Sequence, residues 1–141
     1  MVQFTKEQLD EIWAKGQVDP KYNPDFVRKD DCGAWMIRGR YRERDNIYGW
    51  EVDHIYPESK LKRLNVPQEK IDNIDNLRPL NCRNNMSKGS DYPHYQAKMK
   101  SMVVTDEGGK VEDYNVECEE EKEINPEIQQ SIEELLRGYS L

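Results

Sequence analysis

Apolar positions recur along this chain in two rhythms. Leu9, Ile12 and Trp13 share one face of a 3.6-residue period. Thr5-Lys6-Glu7-Gln8 just before them has the form of a capping box, with Thr5 as N-cap and Gln8 reaching back. A short amphipathic helix covering a core is expected there, stopped near Gly16. Asp19-Pro20 and Asn23-Pro24 punctuate a loop. Asp30-Asp31-Cys32-Gly33 reads as a turn and Ala34-Trp35-Met36-Ile37 as a strand. The run from Ile47 to Ile55 is a second strand, with Trp50 and Val52 inward. Residues 56–75 are a polar loop with room for a turn of helix. Leu77 to Leu80 is a further strand, which Pro79 keeps away from a central sheet position. A helix runs from about Cys82 to Ser90, ended by Tyr92-Pro93.

Lys98 to Thr105 and Lys110 to Cys118 flank Asp106-Glu107-Gly108-Gly109, a hairpin signature. Asn125-Pro126 reads as N-cap and first helical position. Ile128, Ile132, Leu135 and Leu136 then form an apolar stripe ending near Gly138, expected to pack back on the domain. The expectation is an α+β fold in one domain over residues 1–141. Residues 1–27 supply a helix and loop, 28–94 a strand–loop–strand–helix core, and 95–141 an acidic hairpin and helix.

Composition narrows this picture. With 35% hydrophobic and 35% charged residues, the core is modest for 141 residues. No apolar run approaches membrane-spanning length and no signal segment opens the chain, so a cytoplasmic protein without a membrane partner is the default. Cys32, Cys82 and Cys118 form no C-x-x-C pair, so a zinc ribbon is not expected and free thiols are. The net charge of −7 argues against a nucleic-acid partner until its distribution is considered. From Asp106 onward there are 12 acidic and 3 basic residues, whereas the first 105 residues carry 16 and 18. The first part can face a phosphate backbone. Arg38, Arg40, Arg42 and Arg44 alternate, and in an extended segment they share one face, either as a phosphate-contacting stripe or as a solvated loop. Lys60, Lys62 and Arg63 leave the same two readings open.

Chemistry concentrates between Tyr48 and Asp91. Asp53 and His54 are adjacent at a strand end, Asn76 opens the next strand, and Asn85 and Lys88 lie three apart on one helix face. Imidazole is the side chain suited to take a proton from water near neutrality. A hard divalent cation on carboxylate and amide oxygens can hold a phosphate and its leaving group. The set therefore suits metal-assisted phosphodiester hydrolysis. On a flat strand Asp53 and His54 point to opposite sides, so one shared site needs the strand to end or bulge there.

E-V-D-H-I-Y-P, N-L-R-P-L and N-N-M-S-K-G, in that order, resemble the HNH endonuclease superfamily of stand-alone bacterial and phage type. R-K-D-D-C-G-A and Y-G-W-E upstream are also similar, and the resemblance covers about residues 28–91. It implies a ββα-metal core over residues 28–94 and a metal-dependent DNA endonuclease or nickase. It implies His54 as general base, Asp53 and Asn85 as metal ligands, and Asn76 as the brace that aims His54. Mg²⁺ or Mn²⁺ suits oxygen ligands, with Zn²⁺ or Ni²⁺ as alternatives. Lys88, Arg83, Arg78, Arg44, Arg42 and Arg40 are the expected DNA contacts. Asn85 stands where many relatives have histidine, a variant shared with the nuclease domain of RNA-guided DNA endonucleases. Asn84 is one register away and Asn81 a further substitute. The competing expectation is a nucleic-acid-binding or regulatory protein on the same scaffold, whose acidic C-terminal segment gates the basic face or docks a protein partner.

Overall fold

A computed structural model describes residues 3–141. Helix α1 (Lys6–Trp13) starts on the predicted capping box: Thr5 accepts from the Gln8 amide and the Gln8 side chain accepts from the Thr5 amide. It buries Ile12 and Trp13. Strands β1 (Val27–Lys29) and β2 (Trp35–Ile37) pair antiparallel around the turn at Asp30. Strand β3 (Trp50–His54) pairs antiparallel with β4 (Leu77–Asn81). Between them lie the short helices α2 (Glu58–Arg63) and α3 (Gln68–Ile71). Helix α4 (Cys82–Lys88) follows β4 directly, with Asn81 as N-cap. The long hairpin β5 (His94–Thr105) and β6 (Val111–Glu123) leads to α5 (Pro126–Leu135), capped by Asn125. The chain is thus mixed α+β, with three two-stranded antiparallel sheets among the described residues. No described helix is long and apolar enough to cross a membrane.

Two apolar clusters hold these pieces. Ile12 and Trp13 meet Met36, Trp50 and Leu77, so α1 closes one face of the β3–β4 pair. Trp13 and Trp50 lie 5.1 Å apart between ring centroids. The second cluster joins Ile55 and Leu61 to Leu80, Tyr95 and Ala97, and Ile124, Ile132 and Leu136 complete it. The acidic C-terminal segment is therefore part of the core, and its amphipathic helix packs back as its stripe predicts. Some of its charges are answered across the hairpin: Lys98 meets Glu119 at 2.7 Å and Lys100 meets Glu120 at 3.0 Å.

The segment 38–44 departs from the expected extended stripe. Arg38–Arg40 form a 3-10 turn and Arg42 has φ 64°, so the arginines do not share a face. Arg38 pairs with Asp10, Arg40 with Glu43 and Arg44 with Glu51. Gly49 explains the tight return: a Cβ there would lie 2.0 Å from the Glu43 carbonyl oxygen. Helix α4 also ends earlier than predicted, at Gly89, whose φ of 51° favours glycine.

Asp30 is the buried hub linking β1–β2 to the rest. Its Oδ1 accepts from the Cys32 and Ala34 amides, and its Oδ2 from the Asn81 amide and the Asn84 side chain. Burial raises its carboxyl above the ordinary range, and these donors oppose that shift. Asp30→Asn turns an NH₂ group towards two donors. The expected cost is about 3 kcal/mol, read as a lower urea midpoint.

Candidate active site

Strand alternation sorts the side chains of β3 onto two faces. Glu51 and Asp53 turn towards α4, where Asn85 and Lys88 meet them. Val52 and His54 turn the other way, where Val52 packs on the α1 cluster and the Phe4 ring stands 6.3 Å from the imidazole. His54 is the last residue of β3 and still pairs in regular register with Leu77, so no bulge brings it round beside Asp53. Even so, His54, Asp53, Glu51 and Asn85 all line one cleft of about 400 Å³. Arg44, Pro57, Glu58 and Met86 complete much of its wall.

Asp53 lies at the floor of this cleft and is only 3% exposed. Its Oδ2 accepts from Arg78 Nε at 2.8 Å, and its Oδ1 meets Lys88 Nζ at 3.1 Å. Both cations are themselves buried, and Arg78 also reaches Asp31 at 3.2 Å. Burial opposes the charge on Arg78, but Asp53, Tyr95 and Asp31 outweigh it and raise its pKa. Burial lowers the Lys88 pKa while Asp53 pulls it back up. Lys88 further donates to the carbonyls of His54 and Ile55, at 3.2 and 3.1 Å. This corrects two expected DNA contacts: Arg78 and Lys88 face inward and clamp β3, β4 and α4 together. The resemblance assigned both to DNA, but the buried carboxylate of Asp53 draws both inside.

His54 is held from the loop side. Its Nε2 lies 2.7 Å from Asp72 Oδ1, and both side chains are 16% exposed. With Nε2–H donating to this carboxylate, Nδ1 carries the lone pair. The strand end is fixed by Asn76, which is fully buried. Asn76 Oδ1 accepts from the Tyr56 amide at 2.7 Å, and its Nδ2 donates to the carbonyls of Tyr56 and Ile71. The neighbouring repeat residue Asn73 has a separate task, capping the 3-10 turn before β4.

The asparagines of α4 also separate by role. Asn84 is fully buried, bridging Asp30 to β5 by bonds to the Met99 carbonyl and the Lys98 and Met99 amides. Asn81 caps α4 and donates to the Ile47 carbonyl. Asn85 alone of the three lines the cleft, donating from Nδ2 to Glu51 Oε1 at 2.7 Å.

Two donor sets face a possible cation. Glu51, Asp53 and Asn85 offer only hard oxygens in one cleft, a set suited to Mg²⁺ or Mn²⁺. Both Asp53 oxygens meet buried cations, whereas the Glu51 oxygens meet the exposed Arg44 and the Asn85 amide, contacts that a cation displaces more readily. Arg44, 3.0 Å from Glu51 Oε2, places a cationic group on that carboxylate. His54, Glu58 and Asp72 form a second set, with ligand atoms all within 4.8 Å of one another. The sequence reasoning missed Glu51, Glu58 and Asp72. Glu51 was accessible from the two-residue period that it shares with Asp53. Asp72 had no signal, because only the folding of the loop brings it to His54.

The remaining basic residues stand around the cleft rather than in it. Arg44 is on the wall and well exposed, and Arg40 and Arg42 are exposed on the turn before β3. Arg83 is half-buried and touches the Arg44 carbonyl. It lines an open groove of about 660 Å³ between α4 and the hairpin, and Met86 lines both depressions.

Arg78→Met leaves Asp53 buried with one cation instead of two. The expected loss is about 3–5 kcal/mol of stability by urea unfolding. Compared with protein-family models, curated proteins and solved structures, the chain finds no match.

Proposed function

We propose that this chain is a metal-dependent DNA endonuclease or nickase of the HNH class, with the cleft between β3, α2 and α4 as its active site. The observation that carries this reading is the meeting of His54 and Asn85 in one cleft, with Asn76 bracing the loop that leaves His54. The order of strand, loop, strand and helix agrees with a ββα-metal core, and the three motif segments fall on those elements.

The residues then act as follows. Nδ1 of His54 takes the proton of a water that attacks phosphorus. Asp72 holds Nε2–H, which fixes the tautomer and stabilises the imidazolium as the proton arrives. Lys88 holds the backbone at His54 and Ile55, so it positions the imidazole instead of meeting phosphate. Glu51 and Asn85, with Asp53 behind them, would hold a divalent cation such as Mg²⁺ or Mn²⁺. That cation supplies charge for the phosphate and its leaving oxygen. Arg40, Arg42, Arg44 and Arg83, with Lys60, Lys62 and Arg63 on α2, supply cations for the flanking phosphates.

The test is nicking of supercoiled plasmid with Mg²⁺, Mn²⁺ or chelator. Wild type is expected to nick only with metal, and His54→Ala to lose about 10²- to 10⁴-fold in rate. Asp72→Asn is expected to lose about 10- to 100-fold while folding normally. Wild-type protein that binds DNA but never cleaves it would favour a regulatory role.

A further inference from the structure

The loop between β3 and β4 brings to His54 and Asp72 a third ligand group, Glu58, that the nuclease chemistry does not use. Glu58 opens α2 and Asp72 ends α3, and the two helices turn these carboxylates towards the His54 imidazole. We propose that His54, Glu58 and Asp72 bind a transition-metal ion of the zinc class, and that the bound ion switches His54 off as a base. The switch rests on the nuclease reading above; the site itself does not.

Three features support the site. First, the ligand atoms already lie within 4.8 Å of one another. Ligands of one tetrahedral zinc ion sit about 3.3 Å apart, given metal–ligand lengths near 2.0–2.2 Å. The widest pair therefore closes by at most about 1.5 Å, while His54 Nε2 and Asp72 Oδ1, now 2.7 Å apart, open by about 0.6 Å. Second, Gln68 holds both acids. Its Nε2 donates to Glu58 Oε2 and to Asp72 Oδ2, each at 2.9 Å. One amide thus fixes one oxygen on each carboxylate, and each keeps a second oxygen to offer. This is the outer hydrogen bonding that orients metal ligands. Third, the donors discriminate. An imidazole nitrogen with two carboxylates favours zinc over magnesium, whereas the oxygen donors Glu51, Asp53 and Asn85 favour magnesium. Two carboxylates against one neutral imidazole also leave a net negative charge, with Lys62 Nζ 3.8 Å from Glu58.

The switch follows from the imidazole's single proton. A metal on Nε2 displaces the hydrogen bond to Asp72 and moves the ring proton to Nδ1. Nδ1 then has no lone pair for the water's proton. No proton is gained or lost, and general-base action stops.

The test uses the full chain, with zinc alone as probe, in competition with a chromogenic zinc chelator. Wild type is expected to bind one zinc ion per chain. Glu58→Gln should weaken binding at least tenfold and His54→Ala more, while Glu51→Gln and Asn85→Ala should bind as wild type does. Circular dichroism checks that each variant is folded. Zinc should also shift the ¹⁵N resonance of His54 Nε2 and leave Nδ1 protonated. Loss of zinc affinity in Glu51→Gln or Asn85→Ala, with Glu58→Gln unaffected, overturns the site. Absence of zinc binding by wild type does the same.

Cleavage with Mg²⁺ is then followed as zinc is added. Half-inhibition should need at least tenfold more zinc in Glu58→Gln than in wild type. Zinc that binds at His54 without slowing cleavage overturns the switch. A wild type that never cleaves overturns the nuclease reading and the switch with it, and the binding experiment still decides the site.

Discussion

The Asp53 carboxylate, shared by Arg78 and Lys88, is the constraint on which this structure turns. The three side chains come from β3, β4 and α4, so one buried cluster fixes the strand pair and the helix relative to each other. Charges this deep are tolerated only when paired, and each partner here has its counter-ion. Lys88 adds bonds to the His54 and Ile55 carbonyls, which passes the same constraint to the end of β3. The position of the imidazole is thus a consequence of the charge cluster beneath it.

Around that floor, polar side chains do the work that a larger apolar core would do elsewhere. Asp30 gathers four donors, Asn76 ties the loop after β3 to α3, and Asn84 ties α4 to the hairpin. Asn115 reaches from β6 to the Trp35 and Ile47 backbone. A chain with 35% hydrophobic residues reaches its fold in this way. The acidic hairpin and α5 belong to this construction. A free acidic tail would be a removable gate, whereas these residues bury Ile124, Ile132 and Leu136.

The cleft is divided by strand alternation. Glu51, Asp53 and Asn85 present oxygens on the α4 side, while His54 turns towards Glu58 and Asp72 on the loop side. In the proposed nuclease this division separates the cation from the base. The base is then oriented by a carboxylate that the motif itself does not contain.

Much of the architecture was legible along the chain because its signals are local. The capping box at Thr5, the N-cap before α5, the hairpin turn and the two-residue period of β3 depend on neighbours in sequence. The strand pair β3–β4 and the helix after it were legible too. What the sequence could not determine depends on long-range charge and burial. Arg78 and Lys88 read as surface cations until Asp53 is seen buried between them. The alternating arginines read as one face until Gly49 and the tight turn fold the segment back. Asp72 lies 18 residues from His54, and only the closure of the loop makes them partners. Local pattern fixes which elements form, because hydrogen bonding and capping act within a few residues. Tertiary structure decides which charges become internal, because desolvation depends on everything that packs around them.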